Sequence, residues 1–130
     1  MPWNSLKLEA KQVKYLVTKN HNPEIREILL ASVGNILQFE RSNTIYSGWI
    51  WCTNIKGIQA WVPEAFVAIE GNTCHMIRDY ISRELHIEVG EEVEVIEIES
   101  GWALANDGKN ECGWIPMECL ERVEPQEFSD

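Results

Sequence analysis

Two segments of this chain return at a fixed distance. Ser47-Gly48-Trp49-Ile50-Trp51 followed by Trp61-Val62-Pro63-Glu64-Ala65-Phe66-Val67 reappears as Ser100-Gly101-Trp102-Ala103-Leu104 followed by Trp114-Ile115-Pro116-Met117-Glu118-Cys119-Leu120, at an offset of 53. Upstream, Val33-Gly34-Asn35-Ile36-Leu37 matches Val89-Gly90-Glu91-Glu92-Val93 at an offset of 56, and a longer loop in the first copy absorbs the difference. A chain of 130 residues that holds one unit twice leaves about 60 residues per copy, enough only for short elements around a small core. The repeat places a first domain at 1–71, with an N-terminal extension, a second at 72–124, and a tail at 125–130. Gly71-Asn72-Thr73, at the boundary, lacks the length of a flexible linker.

Each copy reads as strands. Glu92-Val93-Glu94-Val95 alternates polar with apolar, and Ile96-Glu97-Ile98-Glu99 alternates again with the phase slipped by one residue, so a bulge is expected between Val95 and Ile96. Ser100-Gly101 and Asn106-Asp107-Gly108 are hairpin chemistry, because Asp-Gly readily supplies positive φ. Glu64-Ala65-Phe66 and Met117-Glu118-Cys119 each follow a proline and suit one 3₁₀ turn. Asn22 to Ser32 is the one helical candidate, and loop followed by strand fits it better. Strands with frequent turns and no long helical period predict an all-β fold of two small barrels.

Charge narrows the partners. The net charge is -10, and it resides in the second half: residues 1–71 carry six acids and seven bases, residues 72–130 fifteen acids and four bases. Such a surface repels phosphate, which disfavours nucleic acid and anionic membranes and favours a basic peptide or protein. The opening Met1-Pro2-Trp3-Asn4-Ser5-Leu6-Lys7-Leu8 has no basic region before an apolar run, and no stretch reaches the roughly 18 apolar residues of a membrane span, so the expected location is cytoplasmic. Cys52, Cys74, Cys112 and Cys119 form no C-x-x-C pair and sit beside apolar residues, which predicts reduced core thiols. Cys74-His75 with Cys112 and Cys119 has no standard zinc spacing, and neither metal nor cofactor is expected.

The second copy resembles Src-homology-3 (SH3) domains. Met76-Ile77-Arg78-Asp79-Tyr80 resembles the family's Ala-Leu-Tyr-Asp-Tyr opening, Glu84-Leu85-His86-Ile87 its Glu-Leu-Ser-Phe strand, and Gly90-Glu91-Glu92-Val93 its diverging turn. Gly101-Trp102-Ala103-Leu104-Ala105 is similar to the tryptophan-bearing strand, and Gly113-Trp114-Ile115-Pro116-Met117-Glu118-Cys119-Leu120 to the closing segment. In the first copy Val13-Lys14-Tyr15-Leu16-Val17 stands for the opening, with Gly48-Trp49 and Trp61-Val62-Pro63 matching further on. The resemblance implies aromatic grooves for an extended, proline-rich peptide, whose polyproline II shape costs little ordering entropy. By position, the second copy's groove uses Tyr80, Trp102 and Pro116, with Trp114 nearby, and the first copy's uses Tyr15, Trp49, Pro63 and Phe66. Trp49 and Trp102 are expected to face outward.

Two departures favour the first copy as the binder. Arg78 and Cys119 stand where the family has tyrosines in the second copy, and only Ile81-Ser82-Arg83 remains of its acidic loop. The first copy keeps Tyr15, Phe66 and a long loop from Thr18 to Ile28 bearing Glu24 and Glu27. His21, His75 and His86 lack triad neighbours and read as strand or surface residues. With no phosphate loop, nucleophile elbow or paired His and carboxylate, the expected function is a non-catalytic binding module. The alternatives are a self-associating structural or regulatory subunit with buried aromatic faces, and a Tudor-like aromatic cage for methylated lysine. A cell-wall-targeting relative of the fold is disfavoured by the opening residues.

Overall fold

The computed structural model describes residues 13–40 and 47–123, and these form an all-β protein. Its strands are β1 (Val13–Val17), β2 (Leu30–Ala31), β3 (Ile36–Glu40), β4 (Trp49–Thr53), β5 (Gln59–Pro63), β6 (Val67–Glu70), β7 (Thr73–Met76), β8 (Tyr80–Ile81), β9 (Glu92–Glu99), β10 (Trp102–Asn106), β11 (Cys112–Pro116) and β12 (Leu120–Arg122). The two expected 3₁₀ turns occupy Glu64–Phe66 and Met117–Cys119, each entered from an extended proline. Between His21 and Leu30 no helix forms, as the loop reading required.

Two antiparallel five-stranded sheets, ordered β5-β4-β3-β7-β6 and β11-β10-β9-β1-β12, carry most of the structure, and β2 pairs with β8 in a small ribbon. The pairing register shows the expected bulge. Leu104 lies opposite Glu97 but Ala105 lies opposite Val95, which leaves Ile96 as the extra residue in β9. The β9–β10 hairpin turns through Ser100 and Gly101 with φ of 47° and 88°, the pair of positive values that matches strand twist.

The chain divides into two compact units, but not at residue 71. A continuous unit spans Glu24–Glu84, and a discontinuous unit joins the residues up to Pro23 to those from Leu85 onward. The cause lies in the turn at Gly71-Asn72. Glu70 is paired with Thr73 across a two-residue loop, and Gly71 takes φ of 64° there. A loop that short folds β7 straight back onto β6, so β7 completes the sheet of the preceding residues. Next to β9 and β12 the vacant position is taken by β1, with Tyr15 opposite Val93 on one side and Arg122 on the other.

β1 and β7 therefore play the same part in the two units. Val17 lies opposite Leu120, and Met76 opposite Val67; Tyr15 lies opposite Val93, and Cys74 opposite Leu37. The opening segments thus correspond at an offset of 59, while the bodies correspond at 53 and 56. Even side-chain bonds repeat: Val89 N–H donates to Asn20 Oδ1 (2.8 Å) and Val33 N–H to Asp79 Oδ1 (3.0 Å).

The discontinuous unit packs Val17, Ile87, Val93, Val95 and Ile115 into its core, with Tyr15 at the margin. The continuous unit buries Leu29, Leu37, Cys52, Val62, Cys74 and Met76. Each such aliphatic side chain contributes about 1.5–3 kcal/mol through its removal from water.

Candidate functional site

In the discontinuous unit, Trp102 on β10 and Pro116 on β11 are cross-strand partners. The 3₁₀ turn after Pro116 brings up Met117–Cys119, and Met117 N–H donates to Gly101 O (2.9 Å) to hold the turn against the β9–β10 hairpin. The residues after β1 supply the facing wall. His21 exchanges two backbone hydrogen bonds with Ile87, both 3.0 Å, and its ring meets Trp102 edge-on at 5.9 Å. Trp102, Pro116 and His21 are each half-buried. Burial pushes the Cys119 thiol up, Glu118 raises it further, and Lys19 opposes both, which places an acid and a base beside this surface.

The continuous unit carries the corresponding residues in a closed form. Trp49 lies opposite Pro63, as Trp102 does opposite Pro116. Tyr80 packs perpendicular to Phe66 at 5.8 Å and donates its hydroxyl to Trp61 O at 2.7 Å. The Arg78 guanidinium sits 4.0 Å over the Phe66 ring, so the chain's own cation covers the face a ligand would need. Trp49 (6% exposed), Phe66 (1%) and Tyr80 (5%) are buried, and so is Pro63. Burial pushes the Tyr80 phenol up, with Cys52 and Glu84 adding to it.

These positions correct the sequence-based grooves. Tyr80 belongs to the continuous unit, where it packs on Phe66, because the β6–β7 turn carries it there, while Trp102 and Pro116 belong to the discontinuous unit. Tyr15 does not join Trp49, Pro63 and Phe66; it lies on β1 and packs on the core of the discontinuous unit. Trp49 does not face outward, since its ring is already covered by protein atoms, and Trp102 is only partly exposed. Of the residues expected to form the first copy's groove, Trp49, Pro63 and Phe66 are buried.

Sequence reasoning passed over His21 and Lys19. Aligned at an offset of 59, Asn20-His21 matches Asp79-Tyr80, and that match was readable once the opening segments were compared with each other. Trp51 and Trp61 are half-buried cross-strand partners that meet edge-on at 5.2 Å.

Among the described residues no cluster of three His, Cys, Asp or Glu side chains is placed to hold a metal ion. All four cysteines are free, and only Cys112 is not fully buried. Cys52 and Cys74 share a thiol hydrogen bond, and burial pushes both up. No helix among the described residues is long and apolar enough to cross a membrane. Comparison with protein-family models, with curated proteins and with solved structures gives no match.

Proposed function

We propose that this chain is a non-catalytic module, built as two SH3-like units, that binds an extended peptide or protein segment on the discontinuous unit. One observation carries the reading: Trp102 is half-buried beside His21 and Pro116, while its counterpart Trp49 is buried. A tryptophan beside a proline offers a broad rigid face and an N–H donor to a ligand carbonyl. The discontinuous unit carries fourteen acids against six bases, the continuous unit seven against five, so the favoured ligand combines proline with lysine or arginine. Reduced, buried cysteines suit a cytoplasmic setting.

The test is a titration of tryptophan emission and amide shifts against proline-rich and basic peptides, with the wild-type chain, Trp102→Ala and Trp49→Ala. Saturable binding that survives in a folded Trp49→Ala chain and is lost in Trp102→Ala supports the reading. No response from the wild-type chain to any peptide overturns it.

A second reading, a packing role for aromatic faces, is favoured only for the continuous unit, where Arg78 already covers Phe66. On that reading Trp49→Ala lowers stability and leaves every ligand response unchanged.

A further inference from the structure

We propose that the chain exchanges its opening arm, residues 13–21, with a second copy of itself. The arm is held entirely by residues far along the sequence. Val17 N–H donates to Glu91 O (2.8 Å), Gly90 N–H to Val17 O (2.9 Å), Thr18 N–H to Cys119 O (2.8 Å), and His21 and Ile87 bond each other twice. Val17 is completely buried, and Asn20 fixes the turn at Val89. Without the arm, β9 and β12 present unpaired edges and the core has a hole, so the slot demands an occupant.

The tie between arm and slot is weak by comparison. The whole continuous unit separates them in sequence, and the hinge Asn22–Ile28 contains no strand. Ile25 in the hinge is 94% exposed, and the ion pair there, Arg26 to Glu24 at 3.4 Å, lies in solvent. No disulfide fixes the arm in place. An arm from a second copy makes these same contacts, so closed monomer and exchanged dimer differ only in the hinge. A second copy is the fitting occupant because the slot matches this arm residue by residue, down to Asn20 and Val17. In the exchanged form the partner's His21 stands against Trp102, and each candidate groove is completed by the other chain. The inference holds whether or not that groove binds peptide.

Arm and slot belong to one chain, so intramolecular closure dominates at about 10 μM and exchange grows toward about 1 mM. Leu16 and Glu92 are cross-strand neighbours on the outer face. Chains carrying Leu16→Cys and chains carrying Glu92→Cys, both with Cys112→Ser, are co-refolded at about 1 mM, oxidised and run without reductant. The expected result is a covalent dimer from the mixture, absent from either chain alone and increased several-fold when Ile25–Glu27 is deleted from both. A chain carrying both Leu16→Cys and Glu92→Cys reports folding through its internal link. If that internal link forms while the mixture gives no dimer with the intact hinge at 1 mM, the proposal is overturned; should the shortened chain fail to fold, the intact-hinge mixture alone decides.

Discussion

His21 and Tyr80 hold the same place in the two units: His21 is bridged to Ile87 and packs on Trp102, while Tyr80 is paired with Ala31 and packs on Phe66. The difference between them is a phenol against a shorter imidazole. Tyr80 spans to Trp61 O and closes its unit, whereas the shorter imidazole leaves Trp102 partly open. Tyr80→Phe removes that bond, so it should cost about 0.5–1.5 kcal/mol. His21→Ala should cost less, because its ring is only half-buried. Urea denaturation of the two variants measures both, and an equal or reversed ranking contradicts this account of the two grooves.

The sequence showed the strands more clearly than their partners. Alternation in 92–99, the prolines before each 3₁₀ turn and the Ser-Gly hairpin are local signals, and each produced the expected element. Which strand β1 joins is a non-local choice made by the two-residue loop Gly71-Asn72. The absence of a linker was visible, but its consequence required treating β6 and β7 as one hairpin. That hairpin places Tyr80 in the continuous unit with Phe66 and leaves Trp102 packed on His21, so residues expected to share one groove lie in different units.

This topology predicts which fragments fold. Residues 24–84 contain β2 to β8, including β7, and should fold alone with dispersed amide resonances. Residues 72–130 match the repeat better but lack β1, so they should remain unfolded until a peptide of residues 1–23 is added. Val17 is the completely buried side chain missing from that fragment. A folded 72–130 fragment without peptide contradicts the assignment of β1 to this unit.

Gly71 should be a sensitive turn position. Its φ of 64° lies where a Cβ costs roughly 1–2 kcal/mol, although no atom within 4 Å would obstruct one. Gly71→Val should therefore lower stability by about that amount, and more than Gly71→Asn, whose side chain tolerates the left-handed region. Thermal denaturation of the two variants tests the ranking. Equal melting temperatures would mean the hairpin is not constrained by its backbone.

Alkaline pH should weaken the fold through the same interior. Cys52, Cys74 and Tyr80 are all pushed up from ordinary values of 9.0, 9.0 and 10.0, chiefly by burial. Folding therefore keeps them protonated while the unfolded chain releases their protons. The stabilisation is complete below pH 9 and declines as pH rises past the unfolded values, at about 1.4 kcal/mol per pH unit for each group titrating only when unfolded. The shared hydrogen bond with Cys52 lowers Cys74, so Cys74 stays pushed up by burial when Cys52 is removed, and Cys52→Ala should flatten the loss above pH 9 by about one group's slope, at the expense of lower stability at neutral pH. Urea denaturation from pH 7 to 11 gives both slopes, and parallel curves for wild type and Cys52→Ala would show that these buried thiols do not set the alkaline limit.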